Sequence, residues 1–151
     1  MKVINYTCTP FDALTVNELY DIMRLRQEVF VVEQNCPYLD ADGKDLYGFH
    51  VMGKDDEGTL HCCTRLLPQG VSYDGFLSIG RVANSVEVRG TGEGKRLMTF
   101  SIVKIKALYP GNPIKIGAQA YLKIFYESLG FMDIGLPYLE DGIPHIIMVM
   151  E

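Results

Sequence analysis

A chain of 151 residues with 48% hydrophobic and 22% charged residues has the length and composition of one water-soluble globular domain, residues 1–151, with a substantial core. No apolar run approaches the roughly 18 residues of a membrane helix, and the start MKVINYTCTP lacks the apolar stretch of a signal peptide, so a cytoplasmic protein without a membrane partner is expected. The net charge of −5 argues against a general nucleic-acid binder.

That charge is uneven. Arg81 to Lys106 holds six basic and two acidic residues, a local +4 that leaves −9 for the rest, so an anionic ligand in this segment and a cationic one elsewhere could both be accommodated. Cys8, Cys36, Cys62 and Cys63 have no C-x-x-C spacing, and the adjacent pair points to opposite faces of a strand. They read as reduced structural thiols, and no metal site is expected.

Taken in order, Lys2 to Thr7 reads as a short strand closed by Pro10. Thr15 and Glu18 form a T-x-x-E capping box, with Leu14 and Leu19 placed for a hydrophobic staple. The helix that follows has an apolar face of Leu19, Ile22, Leu25 and Val29 and an Arg24–Glu28 pair, and should end near Phe30. The next stretch, VVEQNCPYLDADGKDLYGFH, is irregular, acidic and long for a connection. Asp40, Asp42 and Asp45 resemble a calcium loop only briefly: glycine comes at the fourth position rather than the sixth, and Val51 stands where the bidentate glutamate belongs. Turn chemistry explains these aspartates, with a part in choosing an amine as the minor alternative.

Phe49–Lys54 and Thr59–Leu67 read as a hairpin around Asp55 to Gly58. A buried strand through Leu77, Ile79, Val82 and Ala83 runs into Gly90, Gly92 and Gly94, and a helix to about Leu108 follows, with Met98, Ile102 and Ile105 inward. Then come a strand Ile114–Gln119, a helix Ala120–Leu129 burying Leu122, Phe125 and Leu129, a strand around Phe131, a loop with Pro137, Asp141, Gly142 and Pro144, and a last strand His145–Met150. Alternation in the second half with hairpins at the ends suggests an α/β (α+β) mixed sheet with helices on both faces.

The strand–glycine–helix passage puts backbone N–H groups at a helix N-terminus, where an anion is stabilised. A P-loop would need glycine at Arg89 and Ser or Thr at Arg96. The dinucleotide fingerprint places Lys95 where its third glycine belongs. What remains is R-x-x-G-x-G, formed by Arg89, Gly92 and Gly94, and it resembles the pyrophosphate loop of the GNAT superfamily of acyl-coenzyme A N-acyltransferases. The resemblance continues with Gln119 and then Phe125-Tyr126-x-x-x-Gly130-Phe131. LRQEVFVVEQNCPYLD, DGKDL, RLLP, IGRV, RGTGEGKRLM, AQAYLKIFYESLGF and EDGIPHIIM are similar to the ElaA branch and span nearly the whole chain. Asn84, Val86, Glu93 and Gln119 depart from commoner residues at their positions, and Glu93 puts a negative charge near the phosphates.

The resemblance implies a mostly antiparallel sheet splayed between its fourth and fifth strands, and an acetyl-CoA-dependent N-acetyltransferase working through a tetrahedral intermediate without a metal. A non-catalytic acyl-CoA binding module is the alternative. It further implies that Val82, Ala83 and Asn84 line the pantetheine arm, with one backbone N–H serving the oxyanion. Arg89, Gly90, Thr91, Gly92, Glu93, Gly94 and Lys95 would hold the pyrophosphate, Gln119 would lie on the cofactor side, and Tyr126 would be the general acid. Deprotonating an ammonium with a pKa of about 10 needs a base, for which Glu33 is first choice and a water chain the alternative. Arg26, His50 and His145 are candidates for contacting the acceptor, a small-molecule or peptide amine, and a homodimer is left open.

Overall fold

A computed structural model describes residues 2–151. Strand β1 (Asn5–Pro10) starts later than expected because its register is fixed by β2 (Phe49–Lys54), which it pairs antiparallel from Asn5↔Lys54 to Pro10↔Phe49. As an edge strand it tolerates a terminal proline without an N–H.

The expected capping box opens helix α1 (Val16–Arg26): Thr15 Oγ1 accepts from the Glu18 N–H at 3.1 Å, and the Glu18 carboxylate accepts from the Thr15 N–H at 3.0 Å. The helix does not stop at Phe30. It widens into a π-helical segment, Gln27–Glu33, which carries Val29, Phe30 and Glu33 to the rim of a cleft. Such wide turns commonly mark functional positions.

β2, β3 (Leu60–Leu67) and β4 (Ser78–Asn84) complete an antiparallel sheet in the order β1-β2-β3-β4. Helix α2 (Glu93–Leu108) then leads to β5 (Ile114–Gln119), a 3-10 turn at Ala120–Leu122, and α3 (Lys123–Ser128). β6 (Met132–Glu140) and β7 (Ile143–Met150) close a second sheet in the order β5-β7-β6. Here the expected loop is corrected. Pro137 lies inside β6, an edge strand whose register shifts between Asp133 and Pro137, and only Asp141 and Gly142 form the turn. Both have positive φ, 51° and 78°, as a two-residue hairpin turn matched to strand twist requires.

Among the described residues the two sheets are hydrogen-bonded to each other at one place. Leu77 donates its N–H to the Pro113 carbonyl and accepts from the Lys115 N–H, both at 2.8 Å, and beyond this bridge β4 and β5 diverge without a hydrogen bond among the described residues. The divergence coincides with a bulge in β4. Cys63 pairs with Ala83 and Arg65 with Gly80, so one extra residue is accommodated at Arg81–Val82, where Arg81 has φ of 51°.

The faces of the sheet are filled in different ways. On the α2 and α3 side lies the apolar core, including Val51, Cys62, Leu66, Ile79, Leu97, Met98, Ile105, Ile116, Tyr126 and Met148. On the α1 side the apolar cluster is small, Leu25, Cys63 and Ala83 with Val29, Phe30 and Leu60. Charge occupies much of the remainder there: Arg26, Asp40, Asp45, His50 and Arg65 are all buried. Cys62 and Cys63 fall on opposite faces, as expected, and burial pushes both thiols up to about 12. The four cysteines are unbridged.

Candidate active site

A cleft of about 840 Å³ fills the splay between β4 and β5. Parity along β4 decides which backbone groups face it. Ser85 donates its N–H to the His61 carbonyl of β3 at 2.7 Å, so Ala83 also faces β3, while Val82 and Asn84 present theirs to the open edge. Val82 and Asn84 line the cleft; Ala83 is buried against the α1-side cluster and reaches it with neither side chain nor edge.

At the mouth stands the glycine loop. Gly90 and Gly92 have φ of 75° and 83°, which a residue with a Cβ adopts only at a cost. The N–H groups of Gly90, Thr91, Gly92, Glu93, Gly94 and Lys95 make no hydrogen bond to a carbonyl or side chain among the described residues. Donors left free at the start of a sixteen-residue helix suit a phosphate. The Glu93 side chain, expected near the phosphates, turns inward instead. It is buried, accepts from the Tyr6 hydroxyl, and pairs with Arg96 at 2.8 Å. The hydrogen bonds from Arg96, ahead of burial, keep its carboxyl below the usual range, so it stays charged while facing the core side.

Arg89 bridges the mouth. Its Nη2 lies 2.6 Å from the Glu33 carboxylate, and its Nε and Nη2 donate to the Asn84 carbonyl at 3.1 and 2.9 Å. One of the two backbone carbonyls on the open edge is thereby occupied, and Glu33 is committed to an ion pair. The Asn84 side chain sits beside Gly94, and its Oδ1 is buried without a partner.

Tyr126 and Gln119 line the far wall. Tyr126 is buried with T-shaped contacts to Phe125 and Phe131, and burial, with a smaller contribution from Tyr121, pushes its phenol up to about 12. On the face of β5 toward the α1 side, Gly117 leaves room for the Tyr138 hydroxyl, and Tyr73 approaches the same spot. Tyr138 stacks on His145, whose Nδ1 lies 2.7 Å from the Ile143 carbonyl and whose Nε2 lies 3.5 Å from Glu140. A carbonyl can only accept, so Nδ1 carries the proton and a neutral ring keeps its lone pair on Nε2.

Two further sequence-based expectations fail on geometry. Arg26 and His50 do not line the cleft. Arg26 is 1% exposed and pairs at 2.7 Å with both Asp40 and Asp45; His50, also 1% exposed, bonds through Nε2 to the Asp45 carbonyl. Burial alone would lower the Arg26 pKa, but its two aspartates override this and hold it above its ordinary value. Asp40, Asp42 and Asp45, read from the sequence as turn residues, also pair with Arg65 and Arg81. His61 was passed over in the sequence. It bridges Ser85 (3.0 Å) and Asp55 (2.9 Å), pinning the β2–β3 turn to the residue that leaves β4 for the glycine loop.

Splayed strands and a glycine loop at the start of the following helix are the architecture that the sequence motifs implied, the bulge is added by the structure, and the comparisons agree on the family. Residues 71–151 match the acetyltransferase (GNAT) domain. ElaA of Escherichia coli is 44% identical over 141 residues, 91% of this chain and 90% of that protein. The chain belongs to the GNAT acetyltransferase family. The crystal structure of the same E. coli ElaA superposes with a TM-score of 0.91, at 38% identity over 99% of this chain and 100% of that one. An acyl-CoA N-acyltransferase from Pseudomonas aeruginosa superposes equally well, with a TM-score of 0.91, 40% identity, and coverage of 99% and 100%. GNAT membership thus accounts for the mixed sheet, the splay and the acyltransferase architecture.

Proposed function

We propose that this GNAT protein transfers an acetyl group directly from acetyl-CoA to a primary amine in the cytoplasm. The observation that carries the reading is the cleft itself: an open backbone edge on β4 runs from the free N–H groups of the glycine loop toward the wall that holds Tyr126 and His145. The residues present fit coenzyme A. Gly90 to Lys95 would hold the pyrophosphate through backbone N–H groups, and Val82 and Asn84 would offer N–H groups to the pantetheine arm. Acetyl-CoA supplies the activated acyl group, and the rest of the chemistry belongs to protein groups.

The Val82 N–H stabilises the negative charge that develops on the acyl oxygen, in a cleft where a fixed donor needs no reorganisation. In the neutral tautomer set by the Ile143 carbonyl, His145 takes the proton from the acceptor ammonium at Nε2. It suits this role better than Glu33, whose carboxylate is held by Arg89. Tyr126 keeps its proton at neutral pH. A phenol at about 12 is a weaker acid than a thiol at about 8.5, so it stabilises the departing thiolate by hydrogen bonding more than by complete transfer.

The test is acetyl-CoA consumption across a panel of amines, with calorimetric titration of acetyl-CoA alongside. Turnover with at least one amine supports transfer. Tight binding with no turnover across the panel replaces the enzyme with an acyl-CoA binding module.

A further inference from the structure

The α1 side of the sheet carries a group of charges, Arg26, Asp40, Asp42, Asp45, Arg65 and Arg81, and the proposed chemistry uses none of them directly. Its most unusual member is Arg81. A left-handed φ of 51° is a conformation that glycine adopts freely and arginine does not. The conformation falls at the β4 bulge, immediately before Val82.

The Arg81 side chain is held on several sides. Nε lies 2.7 Å from Asp40 Oδ1, and Nη2 donates to the Asp40 carbonyl at 2.9 Å and to Asp42 Oδ2 at 3.3 Å. The guanidinium lies 5.9 Å from the centre of the Tyr38 ring, and the Tyr38 hydroxyl donates to Asp40 at 3.0 Å. Neither carboxylate is free to follow a moving arginine. Asp40 is anchored by Arg26 at 2.7 Å, and Asp42 by Arg65 at 2.7 Å. The irregular connection before β2 and the bulge in β4 are therefore one braced unit.

We propose that Arg81 is a positioning residue: tied to Asp40 and Asp42, its guanidinium keeps the bulge in the left-handed conformation that turns the Val82 N–H into the cleft. This rests on the proposed acyl transfer, since it assigns a support to that reading's oxyanion donor. The arginine touches no reacting atom; it acts through the backbone that follows it. A direct role is the rival, because part of the side chain also borders the cleft.

Arg81→Ala and Arg81→Gly separate the two. Both remove the guanidinium, but only alanine keeps the Cβ that makes the backbone conformation costly. The readout is the infrared carbonyl stretch of bound acetyl-CoA labelled with ¹³C in its acetyl carbonyl, with CoA affinity and turnover measured alongside. In the unaltered protein the stretch falls below its value in free solution. In Arg81→Ala that shift is largely lost and kcat drops at least about 10-fold, a fraction of the roughly 10²–10³-fold typical for deleting an oxyanion donor. CoA affinity stays within about 2-fold, which reports an intact cleft and glycine loop. Arg81→Gly recovers part of both the shift and kcat. Equal losses in the two variants, or a full shift in Arg81→Ala, overturn the positioning role. Failure of the unaltered protein to bind acetyl-CoA overturns the proposed function, and this inference with it.

Discussion

Replacing Arg26 by methionine should destabilise the fold rather than weaken acceptor binding. The side chain is 1% exposed, and its loss deprives Asp40 and Asp45, both buried, of one ion pair each at 2.7 Å. Removing one partner of a buried pair costs about 3–5 kcal/mol. The low end applies here because each carboxylate keeps a second cation, Arg81 for Asp40 and Arg65 for Asp45. About 3 kcal/mol is a large share of the 5–15 kcal/mol typical of a domain, and for this length it lowers Tm by roughly 6–12 °C. The pH dependence has a definite sign. Although burial alone would raise them, hydrogen bonds from Arg65 and from Arg26 hold the Asp42 and Asp45 carboxyls below their ordinary value, Asp42 at about 2. Their stabilisation is complete above the unfolded pKa of about 3.9 and is lost as pH falls toward 2. Of these two only Asp45 is paired with Arg26, so the gap between Arg26→Met and the unaltered protein should narrow as pH falls below the unfolded value and Asp45 takes up its proton, while the Asp42 contribution is common to both. Thermal melts from pH 7 to 2.5 provide the measurement. A Tm change under about 2 °C, or a gap that persists into acid, would refute the account of Arg26 as a structural counter-charge.

Tyr126→Phe should lower kcat about 10- to 100-fold with acetyl-CoA affinity unchanged, since one hydrogen bond to a charged group is worth about 1.5–3 kcal/mol; unchanged turnover removes the tyrosine from the chemistry. Arg89→Ala should weaken acetyl-CoA binding about 10-fold or more and flatten its salt dependence, because the loop loses a cation while its backbone N–H groups remain; titration at two ionic strengths decides. Gly117→Ala builds a methyl group into the Tyr138 hydroxyl and should raise the acceptor KM while leaving acetyl-CoA affinity alone. His145→Gln should reduce kcat about 10²-fold with acetyl-CoA affinity retained, and a full rate would return the base role to Glu33 or to water.

Much of the fold was readable because local chemistry and tertiary packing agree. The Thr15–Glu18 box starts α1 where its residues say it should, and the span Ile114–Gln119 of β5 matches its apolar run. Failures occurred where tertiary context overrode a local signal. Pro137 reads as a strand breaker, yet sits in an edge strand with a shifted register, where a missing N–H costs little. At Arg81 the sequence shows an ordinary charged residue inside a strand, and only the register with β3 reveals that one residue too many is present. The candidate site divides along the same line. Gly92, Gly94, Gln119 and Tyr126 carry recognisable spacing, whereas the pairing of Arg89 with Glu33 and the tautomer of His145 depend on contacts between distant segments.

If coenzyme A is held through backbone groups, as proposed, the departures at Asn84, Val86 and Glu93 from commoner residues leave those groups in place. Val86 is exposed, Glu93 points to the core side, and Asn84 turns to the open edge an N–H that any residue except proline would supply. The acceptor wall is different, because its selectivity must come from side chains. The local −9 outside the cofactor segment suggested attraction of a cationic amine, but Asp40, Asp42 and Asp45 are matched by Arg26, Arg65 and Arg81. Charges neutralised within a few ångströms project little field into the cleft. Under the proposed transfer, the acceptor would meet the cleft charges outside that network: Lys44, held to Ser72, at one side, and Glu140 beside His145, with Asp141 in the adjoining turn, at the other. Discrimination among amines should therefore follow a substrate's charge at two separated positions, and a panel that varies the charge remote from the amine will resolve it better than one that varies amine basicity.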